Sequence, residues 1–135
     1  MRALVLATLI CGLGLRAQDK QIKKVPVEPT AMNSGKTMFK AYCAPCHGLR
    51  AKGDGPAAVA LKKLPPDLTQ LASKNNGKFP GGYVAAVLRS IDAAAHGSNE
   101  MPVWGPMLQS VSRDSGETQL RVNNIVSYIA SLQAQ

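Results

Sequence analysis

Two cysteines and a histidine stand within five residues of one another, in the order Cys43-Ala-Pro-Cys46-His47. The pattern C-x-x-C-H is typical of covalent haem attachment. Each cysteine can form a thioether with one vinyl group of the haem, and the adjacent imidazole can lie against the iron. Because a chain that holds such a group must fold around it, this motif constrains the fold more than any other feature of the sequence.

The same residues are compatible with other kinds of site. Two cysteines in an exported chain can form a structural disulfide. A zinc site needs more ligands than the motif contains, and the sequence has one further histidine, His96, and one further cysteine, Cys11. A thioredoxin-like motif needs a strand-helix-strand context, and no segment alternates apolar and polar residues for long enough to predict a sheet. The export signal and the helical pattern favour haem attachment.

The amino-terminal segment has the pattern of a secretory signal peptide. Arg2 precedes an apolar run of 13 residues, which is too short to span a bilayer, and the small residue Ala17 follows it. We predict a signal peptide over residues 1–17 that is cleaved near Ala17, and an uncleaved membrane tether is the alternative. Cleavage also removes Cys11, so the exported chain keeps the two cysteines of the motif.

The rest of the sequence predicts an all-α protein. Residues 18–32 are polar and basic and contain Pro26 and Pro29, so we expect an extended tail or linker there. Apolar residues at helical spacing predict four to five helices in a domain over residues 33–135. The expected elements are helices near 33–46, 56–63, 81–93 and 115–133, a turn capped by Asp67, and an irregular stretch from 97 to 106. The last helix carries its apolar face on Leu120, Val122, Ile125, Val126, Ile129 and Leu132.

Large side chains are scarce for a core of this size. Aromatic residues make up 4% of the chain, and small alanine side chains bury little apolar area. Long connections between a few helices also need something to pack against. Both observations predict a bound group at the centre of the domain.

A second axial ligand for the iron must come from outside the motif. The candidates are Met32, Met38, Met101, Met107 and His96. We predict Met101, because Pro102 follows it and stiffens the loop that would present its thioether. The alternatives are a methionine that merely fills the core and a bis-histidine site completed by His96.

The chain resembles the small monohaem class I cytochromes c, especially bacterial periplasmic members and the cytochrome c domains of terminal respiratory enzymes. The resemblance covers roughly residues 33–133. It rests on G-x-x-x-F-x-x-x-C from Gly35, on CAPCH, on KGDGPAA at 52–58, on PPDLT at 65–69, on the segment from His96 to Trp104 and on the terminal VSYIASL.

This resemblance implies the cytochrome c fold, with four to five helices wrapped around one covalently bound haem. It implies thioethers at Cys43 and Cys46, with His47 as the proximal ligand and Met101 as the distal ligand. With both axial positions occupied, the expected function is one-electron transfer in the periplasm and not catalysis.

The resemblance also implies roles for residues around the haem. Pro56 resembles the family proline whose carbonyl accepts a hydrogen bond from the proximal histidine, and Trp104 would pack near the haem edge. Gly35, Phe39 and Tyr128 would form the crossing of the first and last helices.

Two other functions remain open at this level. The domain could be a haem subunit docked on a respiratory oxidase or dehydrogenase, with the apolar run Trp104, Pro106, Met107 and Leu108 as its interface. A labile Met101 would instead give a ligand-binding or peroxidatic haem protein.

The charge balance predicts the kind of partner. The chain carries a formal net charge of +8, which falls to +6 when cleavage removes Arg2 and Arg16. We expect redox partners with acidic docking surfaces, because opposite charges accelerate encounter. The basic residues near the motif are Lys36, Lys40, Arg50, Lys52, Lys62 and Lys63. Nucleic acid is not expected, since there is no basic helix and no aromatic platform, and membrane contact is expected only through a partner or an uncleaved signal.

Overall fold

The protein is described by a computed structural model that covers residues 30–90 and 101–133. The predicted signal peptide, most of the predicted tail and His96 lie outside these ranges. Its α-helices are α1 (Gly35–Met38), α2 (Ala44–His47), α3 (Gly81–Arg89), α4 (Trp104–Ser110) and α5 (Ser115–Ser131). The described residues contain no strand, which confirms the all-α prediction. None of the helices in 30–90 and 101–133 is long and apolar enough to cross a membrane.

The first helical segment leads directly into the C-x-x-C-H motif. Ser34 begins it by accepting a hydrogen bond from the backbone N–H of Thr37 at 3.1 Å, as expected for a capping serine. A wider π-helical turn over Phe39–Cys43 joins α1 to α2. Pro45, which follows closely, has no N–H and therefore interrupts the regular hydrogen-bond ladder.

Helix α5 crosses this first segment at a point of close backbone approach. A Cβ on Gly35 would overlap the carbonyl oxygen of Asn124 in α5. One turn further on, the rings of Phe39 and Tyr128 pack with their centroids 5.3 Å apart. The predicted crossing of Gly35, Phe39 and Tyr128 is therefore confirmed.

The buried face of α5 differs in part from the predicted one. Val122 and Ile125 are buried as expected, but Leu120 is exposed, and the prediction that placed it on the apolar face is wrong. Leu120 lies two residues from Val122, which turns it to the opposite side of a helix with 3.6 residues per turn. Glu117 and Arg121 occupy the buried face instead, as an ion pair with 2.8 Å between Arg121 Nη2 and Glu117 Oε1.

Two other predicted elements also differ from the structure. The expected helix over 56–63 is a single 3₁₀ turn over Ala58–Ala60. Helix α4 begins at Trp104, within the stretch from 97 to 106 that was expected to be irregular, and Pro106 is its third residue. Proline is tolerated there because the first N–H groups of a helix have no partner within the helix.

Short 3₁₀ turns connect α2 to α3. The 3₁₀ turn Leu68–Gln70 begins where the sequence predicts, with Asp67 Oδ1 accepting from the backbone N–H of Thr69 at 2.9 Å. A second 3₁₀ turn, Ser73–Asn75, follows. The side chain of Gln133, just beyond α5, accepts from Ala72 N at 2.9 Å and donates to Leu68 O at 2.8 Å. It thereby fastens these turns to the carboxyl end of α5.

Candidate cofactor site

A cavity of about 340 Å³ lies between the C-x-x-C-H segment, α3 and the start of α4. Cys43, Cys46 and His47 line it from the first helical segment. Met101 and Trp104 line it from the far part of the chain. The structure thus brings five of the six residues predicted for the site around one space.

The remaining lining is mostly apolar. It includes Leu61, Leu68, Leu71, Val84, Val87, Leu88 and Ile129. Such a wall fits a flat and largely hydrophobic macrocycle, since burying apolar surface contributes roughly 25 cal/mol per Å². The cavity therefore fits the haem that the motif predicts, in both its apolar lining and its donor set.

His47 is buried, and its ring is oriented by a backbone carbonyl. Its Nδ1 lies 3.3 Å from the carbonyl oxygen of Pro66. A carbonyl oxygen accepts but never donates, so Nδ1 must carry the proton, and Nε2 keeps its lone pair for a metal. Burial lowers the pKa of His47 below 6.5, and the hydrogen bond to Pro66 opposes that shift in part. The ring is therefore held in the neutral tautomer that ligates iron.

The carbonyl that contacts His47 belongs to Pro66 and not to Pro56. The prediction that assigned this role to Pro56 is therefore wrong; Pro56 is exposed and does not line the cavity. The glycine-rich loop that follows His47 folds back on α2, and Gly53 N donates to the backbone carbonyl of His47 at 2.8 Å. A later contact, from Leu68 N to Ala51 O at 2.8 Å, brings the Pro66 segment beside the ring.

No disulfide joins Cys43 and Cys46, so the disulfide alternative has no support. Burial raises the pKa of Cys43 to about 12, and the neighbouring Cys46 adds to that shift. This wall of the cavity thus disfavours charge. A thioether suits it, because a thioether sulfur carries no titratable proton.

Among the methionines in the described residues, Met101 is the one that lines the cavity. Met38 is fully buried elsewhere, with its sulfur 3.9 Å from Nη1 of Arg121. Met107 packs against the core without reaching the cavity. The carbonyl of Met32 accepts from an asparagine of α5, and its side chain does not line the cavity. The prediction of Met101 as distal ligand is thus compatible with the structure, and it stays a prediction.

Trp104 lies at the cavity wall, where it is almost fully buried at 7% exposure. Its ring packs against Tyr42, with centroids 5.7 Å apart. Tyr42 also lines the cavity, and the sequence prediction missed it. The available signal was an aromatic residue placed immediately before Cys43 in the motif.

The described part of the chain supplies no further ligands for a zinc site. Across residues 30–90 and 101–133, no group of three or more His, Cys, Asp or Glu side chains is placed to hold a metal ion. Within the described residues, Met101 is the candidate ligand that shares the cavity with His47, and the predicted alternative His96 lies outside them.

The basic residues near the motif are all exposed, but they are not all at the cavity. Lys63 lines it, whereas the other five do not. Arg50 instead pairs with Asp54 at 3.2 Å. The large side chains of Leu64 and Tyr83 are 69% and 65% exposed and also line the cavity. The mouth of the cavity is therefore largely apolar with one adjacent cation.

Comparison with protein families places most of the chain in a known family. The model of the family described as Cytochrome c matches residues 32–133. No curated protein and no solved structure matches the chain. The matched range contains the C-x-x-C-H motif, the cavity and all five α-helices.

Proposed function

The chain belongs to the cytochrome c family and carries a c-type haem attached through Cys43 and Cys46, and from this premise we propose that it is a periplasmic one-electron carrier with His47 and Met101 as axial ligands. Membership supports haem-based electron transfer in general. The ligand pair His47 and Met101, the periplasmic location and the acidic redox partners go beyond what membership supports, and we propose them.

The placement of Met101 is the observation that carries the proposal. It lines the same cavity as His47, although the two lie 54 positions apart in the chain. An iron with both axial positions filled has no open site for oxygen or substrate, which leaves electron transfer as its function. Ligation by methionine and histidine raises the reduction potential of haem iron. The apolar lining acts in the same direction, since it disfavours the more highly charged oxidised centre.

Electrons would pass through the exposed mouth of the cavity. Leu64 and Tyr83 supply apolar contact there, and Lys63 supplies a positive charge. A partner with an acidic surface would be steered toward this face, and raising the ionic strength should slow its reaction. A reduction rate that is independent of salt would contradict this part of the proposal.

The axial ligation is tested by optical spectra of the purified holoprotein, oxidised and reduced. We expect a low-spin ferric spectrum with the near-infrared band of methionine ligation and no response of the reduced protein to carbon monoxide. Met101→Ala should abolish that band and open the iron to carbon monoxide. Met107→Ala is the matched control, because Met107 packs in the core away from the cavity and its loss should leave the band in place. A ferric spectrum that Met101→Ala leaves unchanged would exclude Met101 as the ligand.

A ligand-binding or peroxidatic haem protein is the second candidate, and the same spectra separate the two. Ready binding of carbon monoxide by the unmodified reduced protein would favour it. For the haem-subunit alternative, the suggested interface is reduced to Pro106 and Met107, because Trp104 and Leu108 of that run are buried within the chain itself.

A further inference from the structure

Tyr42 connects the wall of the cavity to the first described residues of the chain. Its ring packs on Trp104 at a centroid distance of 5.7 Å and an interplanar angle of 36°. Its hydroxyl accepts from the backbone N–H of Thr30 at 3.3 Å and lies 2.9 Å from the Thr30 hydroxyl. One side chain therefore contacts both the cavity and the segment that precedes α1.

Thr30 is itself held from the opposite side by α5. Nη1 of Arg121 donates to the carbonyl of Thr30 at 2.7 Å. Arg121 is buried at 3% exposure and is fixed in turn by Glu117 at 2.8 Å and by the carbonyl of Val111 at 3.2 Å. A buried charge with this many partners has little freedom to move. Thr30 thus offers Tyr42 an anchor of defined position.

The other end of this chain of contacts lies close to the predicted distal ligand. Trp104 is the first residue of α4 and follows Met101 by three positions, with Pro102 between them. Proline narrows the conformations of that connection. The position of the Trp104 ring therefore restricts where the Met101 side chain can lie.

We propose that Tyr42 is a positioning residue for Met101: held by Thr30 and Arg121, it fixes Trp104 and through it the loop that presents the thioether. The inference rests on the proposed ligation by Met101. Coupling of this kind travels through packed rings and hydrogen bonds. The links from Arg121 through Thr30 and Tyr42 to Trp104 are direct contacts, and the short backbone connection through Pro102 joins Trp104 to Met101.

Imidazole is a suitable probe, because it competes with Met101 for the ferric iron of the holoprotein. Tyr42→Phe keeps the ring and removes the hydroxyl. Loss of such hydrogen bonds corresponds to a factor of roughly 3 to 10 in an equilibrium constant, so imidazole should bind the variant roughly 3- to 10-fold more tightly. Thr30→Val, which removes the other hydroxyl, should shift the dissociation constant in the same direction. Tyr128→Phe is the matched control, since its ring packs at the helix crossing away from the cavity.

A second measurement reports on Trp104 directly. It is the one tryptophan of the chain, so its near-ultraviolet circular dichroism should change in Tyr42→Phe and stay unchanged in Tyr128→Phe. An imidazole dissociation constant in Tyr42→Phe within twofold of the unmodified protein would overturn the inference, even if the variant unfolds more easily. Failure of the ligation itself gives a different result, because Met101→Ala would then leave imidazole affinity unchanged.

Discussion

Replacing Gly35 by alanine tests whether the crossing of α1 and α5 holds the fold together. The added Cβ would overlap the carbonyl oxygen of Asn124 and lie 3.1 Å from Cβ of Tyr128. Neither neighbour can swing aside, because one is backbone and the other is attached directly to it. The two helices must therefore separate, and the contact between Phe39 and Tyr128 must loosen with them.

The expected cost follows from three opposing effects. Overpacking costs about 1–3 kcal/mol, and weakening the ring pair costs about 0.5–1.5 kcal/mol. The higher helix propensity of alanine offsets about 1 kcal/mol of that cost. We expect Gly35→Ala to lose about 2 kcal/mol of unfolding free energy. For a domain of this size, that loss lowers the melting temperature by roughly 8–16 °C.

The assay is thermal and guanidinium unfolding of the holoprotein, followed by circular dichroism. Gly82→Ala is the matched control, because Gly82 also lies in a helix but a Cβ there meets nothing within 4 Å. This control should be stabilised by no more than about 1 kcal/mol. The reasoning is refuted if Gly35→Ala is as stable as the unmodified protein.

Three further predictions concern stability. Leu108→Ala should lower the free energy of denaturant unfolding by about 2–5 kcal/mol, because Leu108 is 1% exposed. Leu49→Ala should change that free energy by less than about 0.5 kcal/mol, because Leu49 is exposed. Hydrogen bonds from Arg113 and Arg121 lower the pKa of Glu117 from 4.5 to about 2. The stability that ionised Glu117 adds to the fold is therefore complete above pH 4.5 and disappears as the pH falls toward 2. The free energy of unfolding across that window should depend less on pH in Glu117→Gln, and an identical slope would contradict this. Ser34→Ala removes a helix cap and should cost about 1 kcal/mol in thermal unfolding, with Ser34→Asp restoring most of it.

Local signals in the sequence predicted much of the fold correctly. Asp67 begins its turn and Ser34 its helix as expected, because a cap acts on N–H groups only two or three residues away. The burial of Val122 and Ile125 likewise follows from helical spacing. Periodicity misplaced Leu120, because residue type alone did not show that an ion pair would occupy the buried face of α5.

Among the residues of the site, too, local patterns were predictable from the sequence and contacts between distant segments were not. The cysteines and histidine of the motif are neighbours along the chain, so their spacing, together with the export signal and the helical pattern, predicts the attachment of haem through Cys43 and Cys46. Which carbonyl contacts His47 depends on the path of a glycine-rich loop, and that path brings Pro66 from 19 positions away instead of Pro56. No local pattern specifies such a contact.

The sequence alone therefore specified the helical class and the attachment motif, because each depends on residues a few positions apart, whereas the helix crossing at Gly35 was expected from the resemblance to class I cytochromes c. The folded chain was needed to show the Pro66 contact, the cavity shared by His47 and Met101, and the contact of Tyr42 with Trp104. These depend on how distant segments pack, and packing is settled by the whole set of buried contacts at once.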